Sequence, residues 1–231
     1  MINKFKLLTA TALFSLLSAC GGGGGVSGPV ASSESFSLVK LWANMLTTPS
    51  TNKVTITGTT KDGAVTGSGT STLSGLSAGT FESMPAQKQT QTMAISLVIN
   101  GQTIPVNDKI DTWVDSNNTP KGESGGDYYV VVTALGNLPT AARINDTGNL
   151  FTANLYADST KAVLRGTRTV SYLLEADTAS TALASLIIED KNTSKVTTSK
   201  STQQLRITPT GTFTRIKETS VEGTTSILIT Y

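Results

Sequence analysis

The chain has 231 residues, 38% hydrophobic and 15% charged, with a formal net charge of +2, no histidine and a single cysteine, Cys20. This composition excludes Ser-His-Asp and Cys-His nucleophile systems and the usual zinc, copper and haem ligand sets, so no metal or cofactor is expected. One cysteine closes no intrachain disulfide, and no lysine or arginine cluster offers nucleic acid an electrostatic footprint.

The first residues read as an export signal. Lys4 and Lys6 form a positive start, and Leu7 to Leu17 is an apolar run of signal length, too short for a spanning helix of about 20 residues. Leu17-Ser18-Ala19-Cys20 resembles the lipobox of bacterial lipoproteins, in which small residues precede an obligatory cysteine. The resemblance implies that residues 1–19 are removed and that Cys20 becomes an acylated N-terminus. It also implies attachment to the cell envelope. Gly21, standing where aspartate would favour the inner membrane, points to the outer membrane. Loss of Lys4 and Lys6 leaves 16 basic and 16 acidic side chains, a formal charge of zero.

Residues 20–33, with "GGGGGVSGPVASS", hold too little apolar surface to offset the entropy of ordering them. They read as a tether with a reach of roughly 20 Å. Residues 34–231 read as one domain. Its helix candidate is Ser35 to Leu46, where Leu38, Leu41, Trp42 and Met45 share a face, Ser33 stands as a cap and Pro49 follows the end.

Strand signals fill the rest, and threonine is the commonest residue, at about one in six. "KVTITGTT" alternates Val54 and Ile56 with threonines and turns at Asp62-Gly63 into "AVTGSGTSTLS". "MAISLVI" reaches Asn100-Gly101, a strong hairpin signal, and "QTIPV" returns, with Pro105 marking an edge or bulge. "DYYVVVTAL" reads as a fully buried strand. "LFTANLYA" and "AVLRGTRTVSYLL" read as a hairpin around Asp158-Ser159. "TALASLIIE" fits helix or strand, and "QQLRITP", "TFTRIKET" and "TSILITY" close the chain, the last two joined at Glu222-Gly223. About ten to twelve strands on short turns predict an all-β fold: an antiparallel curved sheet or barrel-like meander with one N-terminal helix, the alternative being a β-sandwich. "GTSTLS" before "SLVI" and "GTRTVS" before "SLII" form a faint internal echo.

Several motifs invite a functional reading. Asp146-Thr147-Gly148 resembles the tripeptide of aspartic proteases, whose chemistry needs two aspartates sharing a proton. A single copy reads as a turn. "DSNNTPKGE", from Asp115 to Glu123, has calcium-type oxygen ligands out of register and reads as a solvated loop. Asn117, Asn145 and Asn192 each begin an N-x-S/T triplet. "SILITY" resembles the last strand of an outer-membrane barrel, with Ile227 and Ile229 on one face, but "VTGSGTSTLSG" cannot supply a lipid-facing band.

The expected function is a non-catalytic structural or protein-binding domain on a lipid anchor, its partners being the membrane and an envelope protein. The alternative is a carrier of an apolar ligand, with Leu38, Leu41, Trp42 and Met45 lining its site. That arrangement resembles the half-barrels of periplasmic lipoprotein carriers in architecture alone. A peptidase acting through Asp146 is the remote alternative.

Overall fold

The computed structural model describes residues 28–231. The signal, the lipobox and Cys20 lie outside the described residues. One helix, α1 (Leu38–Thr47), precedes β1 (Ser50–Thr60), β2 (Gly63–Leu73), β3 (Ser77–Phe81), β4 (Met84–Ile99), β5 (Gln102–Val114), β6 (Pro120–Ser124) and β7 (Tyr129–Leu135). There follow β8 (Thr147–Tyr156), β9 (Leu164–Ala176), β10 (Ala182–Asn192), β11 (Thr197–Ile207), β12 (Phe213–Glu222) and β13 (Thr225–Thr230). All pair antiparallel, mostly with their sequence neighbours, and β13 returns to pair with β1. Since β2 also pairs with β4, the sheet closes on itself as a 12-stranded barrel with β3 as an extra strand. The meander is therefore a barrel and not a sandwich.

Period-2 alternation sets its two faces. On β1 the outward row Thr51, Lys53, Thr55, Thr57 and Thr59 is exposed, while Val54 and Ile56 are buried. The outward row of β2 is likewise small or hydroxylated. On these two strands threonine thus makes most of the water-facing side of the pleat, and the larger apolar residues face the interior. The turns follow their sequence signals: Asn100 and Gly101 take φ of 50° and 75°, the left-handed pair of a tight hairpin.

Two apolar clusters occupy the interior. One packs α1 and Phe36 against β7–β11; the other joins β1, β2, β4 and β13 through residues such as Val54, Leu97, Ile227 and Ile229. Glycine lets the second wall close. A Cβ on Gly58 would lie 2.1 Å from the Ser226 carbonyl oxygen, and one on Gly69 2.2 Å from that of Ala94.

The structure corrects several local expectations. The helix is capped by Ser37, whose Oγ accepts the Lys40 N–H at 3.3 Å, and not by Ser33. The start at Leu38 follows from Phe36, whose N–H and carbonyl pair with Ala142 in an extended bridge. The barrel takes hold of the chain at Val30, inside the stretch read as tether, through a bond to the Asp177 carbonyl. "TALASLIIE" is strand, in β10. "DYYVVVTAL" is buried only at its start: Thr133 to Leu135 are exposed. The loop reading of Asp115 to Glu123 holds to Thr119, after which Pro120–Ser124 is β6.

Strands β3 and β6 were too short and polar to stand out. Phe81 at the end of β3 stacks on Trp113 and Tyr129, with ring centroids 5.6 and 5.3 Å apart. A Cβ on Gly122 of β6 would meet its ring at 2.4 Å, so glycine there admits the aromatic lid. The internal echo has no counterpart in pairing: Gly69 faces Ile95, whereas Gly166 faces Asn192.

Strand β13 sits between β1 and β12 with Ile227 and Ile229 each 2% exposed. Burial of each contributes about 1.5–3 kcal/mol against a typical stability of about 5–15 kcal/mol. Deleting Ser226 to Tyr231 is expected to abolish cooperative folding or lower the melting temperature sharply in a circular-dichroism melt. An unchanged melt would contradict closure by this strand.

Candidate functional site

The barrel encloses a cavity of about 1140 Å³. Small-molecule pockets commonly measure about 300–1,000 Å³, so this one is roomy. Helix α1 forms its floor. Trp42, Met45 and Leu46 face the cavity, held by polar contacts at the helix's rim. Trp42 Nε1 donates to the Asn118 carbonyl at 2.7 Å, and Asn44 Nδ2 donates to the Gly211 carbonyl at 2.9 Å. Gly211, at φ +82°, lets the loop approach the helix; a Cβ would lie 2.6 Å from the Leu41 nitrogen. The last carbonyls of a helix lack partners within it. Buried Gln89 of β4 supplies one, its Nε2 donating to the carbonyls of Met45 at 2.6 Å and Leu46 at 2.9 Å.

Of the four residues expected to line a site, Trp42 and Met45 reach the cavity. All four come together, with Leu138, Leu150 and Leu186, around a separate small void of about 10 Å³, and Leu38 and Leu41 are buried there without reaching the large cavity. The cavity walls carry two characters. Met93, Ile104, Val106, Ile227 and Ile229 make one apolar wall, and Phe151, Leu155, Val170, Leu186 and Ile188 another. Between them β11 and β12 present a polar seam of Ser199, Ser201, Gln203, Arg215, Glu218 and Ser220.

The lumen reaches the surface beside β5. Strand β6 pairs with β5 only over Asp111 to Val114. From Gln102 to Ile110, β5 therefore has β4 on one side and no strand on the other among the described residues. Pro105, Asn107 and Asp108 border the cavity there, opposite Gly126 and Asp127. Pro105 thus occupies an edge, as its missing N–H requires.

Sequence reading missed the charged groups inside. Arg168, 5% exposed, donates from Nε and Nη2 to both carboxylate oxygens of Asp190 at 2.8 and 2.9 Å, and from Nη1 to Glu123 at 2.5 Å. Its guanidinium also lies 4.9 Å from the Tyr128 ring centroid. Burial opposes the charge on Arg168, but the two carboxylates outweigh it and hold the group firmly protonated. Burial raises the Tyr128 hydroxyl well above its ordinary value. The signal was available: Arg168 stands in phase with Val170, Tyr172 and Leu174.

A second group lies around Arg215, which is 8% exposed, and Glu218. Glu218 Oε1 accepts from Ser201 Oγ and its Oε2 from Tyr231 Oη, both at 3.4 Å. Desolvation raises the Glu218 carboxyl above its ordinary value despite Arg215 nearby, and burial pushes the Tyr231 hydroxyl up to about 12.

Asp146 lies elsewhere, exposed in a turn, its Oδ2 accepting the Arg143 N–H at 2.8 Å while its own N–H returns to the Arg143 carbonyl. Among the described residues no group of three or more His, Cys, Asp or Glu side chains is placed to hold a metal ion.

An acid whose folded pKa is raised binds its proton more tightly when folded. It therefore stabilises fully below its unfolded value, and that contribution is lost as pH rises through the folded one. Glu218→Gln is accordingly expected to raise the melting temperature relative to wild type increasingly above pH 4.5, the ordinary glutamate value, with little difference below it. A constant difference across pH would contradict the desolvated environment of this carboxyl.

No protein-family model, curated protein or solved structure matches the chain.

Proposed function

We propose that the protein is a lipid-anchored lipoprotein of the bacterial cell envelope whose barrel holds a lipophilic small molecule, acting as a binder or carrier rather than a catalyst. The cavity of about 1140 Å³ with two apolar walls is the observation that carries this reading. The sequence argued against a carrier because a threonine-rich chain has little apolar surface to spare. That objection lapses once the threonines of β1 stand on the outer face and the aliphatic residues on the inner. The side opening along β5 supplies a way in.

Cys20 would be the anchor, with acyl chains on its sulfur and amine holding the barrel at the membrane, by preference the outer membrane. Each buried methylene contributes about 0.8 kcal/mol, so two or more chains anchor stably. The residues between Cys20 and Val30 would space the barrel from the headgroups. Docking of an envelope protein on the outside is the second reading. It rests on the exposed, hydroxyl-rich outer rows of β1 and β2.

Two measurements test this. Cys20→Ala is expected to abolish incorporation of labelled palmitate and leave the signal uncut; a variant that still matures and stays with the membrane would contradict the anchor. The neutral apolar dye phenylnaphthylamine is expected to bind saturably, one per chain. Ile104→Trp or Val106→Trp, which narrow the lumen at its opening, should weaken that binding without lowering the melting temperature. Failure of the wild type to bind, or equal binding by both variants, would overturn the lumenal reading.

A further inference from the structure

Two arginines are buried among the described residues, and their surroundings differ. Arg168 is held by two carboxylates, so its charge is already answered. Arg215 makes no salt bridge within 4.0 Å among the described residues; its guanidinium lies 5.4 Å from the Tyr231 ring centroid, and Glu218 acts on it only electrostatically. Its Nη1 reaches Tyr231 Oη at 3.4 Å, and its Nε is the one buried side-chain nitrogen or oxygen without a hydrogen-bond partner among the described residues. The bonds between Tyr231, Ser201 and Glu218 are equally long, at 3.4 Å, against an ordinary range of about 2.5–3.0 Å for hydroxyl donors. Arg215, Glu218 and Ser201 all border the cavity. A buried guanidinium costs free energy unless an anion and hydrogen-bond acceptors meet it, and an orphaned donor in a native interior calls for an explanation.

We propose that Arg215 is the anchor for the head group of the lumenal ligand, and that this ligand is a long-chain carboxylic acid. The proposal rests on the reading of the lumen as a lipophilic binding site and adds the chemistry of its occupant. The planar fork of a guanidinium matches a carboxylate with paired hydrogen bonds, and in a low-dielectric wall that pair is strong. Glu218, whose carboxyl is inclined by burial to keep its proton, can donate a further hydrogen bond to the head group. The alkyl chain then lies on Ile227, Ile229, Met93 and Val106, which share the lumen with Arg215. Of the other two lining arginines, Arg168 is held by its carboxylates, and Arg165 is exposed and donates to the Asp127 carbonyl at 2.7 Å. Asp108 also lines the cavity and disfavours an anion lodged beside it.

The test uses the full chain carrying Cys20→Ala, so that acyl chains do not enter the assay, with phenylnaphthylamine displaced by palmitic acid or by cetyl alcohol, its neutral counterpart of equal length. Wild type is expected to bind the acid about tenfold or more tightly than the alcohol. Arg215→Gln should bind the two equally while keeping its affinity for the alcohol, and Arg215→Lys should keep part of the preference. Equal affinities in the wild type, or an acid preference that survives Arg215→Gln, would overturn the anchor while leaving a lipophilic lumen intact. Displacement by neither probe would instead remove the lumenal reading on which the anchor rests. Should Arg215→Gln fail to fold, the NMR resonance of isotope-labelled palmitate carboxyl carbon bound to wild type decides. It is expected to titrate at lower pH than palmitate in neutral vesicles, and a titration at or above the vesicle value overturns the proposal.

Discussion

Everything in this fold depends on the pairing of β1 with β13. The two strands come from opposite ends of the chain, and their bonds from Thr55–Thr230 to Thr59–Ser226 join the sheet to itself. An open sheet of this many strands would leave two long edges and two faces of equal standing. Closure removes most of that edge and makes the faces unequal, one wet and one enclosed. Once inside and outside are distinct, the alternation along each strand acquires meaning. On β1 threonine serves the outside, and Val54 and Ile56 the inside. The close approach that closure demands falls on Gly58 and Gly69, where a single Cβ would meet a neighbouring carbonyl.

A barrel of this circumference is too wide for its own side chains to fill. Helix α1 and the cluster it packs against fill part of the interior, leaving the lumen open beside Trp42, Met45 and Leu46. The polar seam on β11 and β12 then has a consequence that a packed core would not allow. Arginine and glutamate can stand on an inward row because they border open space and each other. The two charge clusters are unequal. Arg168 with Asp190 and Glu123 ties β9, β10 and β6 together and is internally satisfied, a structural brace. The Arg215 cluster is loosely bonded and leaves a donor over, the arrangement of a site with room for a guest.

Much of the fold was legible in the sequence because alternation and turn chemistry are local. Asn100-Gly101, Glu222-Gly223 and the Val54–Ile56 alternation each specify their structure within a few residues. The helix face was legible too, but its start was not. Extended pairing of Phe36 with Ala142, over a hundred residues away, decides that Ser37 caps the helix. Strands β3 and β6 escaped notice because their signal lies in tertiary fit, Phe81 over Gly122, and not in composition. The site was half legible. Trp42 and Met45 line the lumen, but Leu38 and Leu41 do not, since helical periodicity marks an apolar face without saying which part meets a void. Arg168 was readable as a charge in phase with buried neighbours, whereas Arg215 was not, since a bulge beside it breaks the alternation of β12. Their partners, Asp190 and Tyr231, are set by sheet register, which one sequence does not print.

The most direct test of a lipophilic lumen locates the ligand within the barrel. Isoleucine methyl groups can be observed by NMR while a fatty acid spin-labelled near the end of its chain is titrated in. Ile104, Ile227 and Ile229 line the lumen, whereas Ile187 is on the opposite face of β10 from Leu186 and Ile188. The account predicts that one equivalent broadens the first three resonances and spares Ile187. Broadening confined to Ile187 and other outward methyls, or none at any residue, would contradict it.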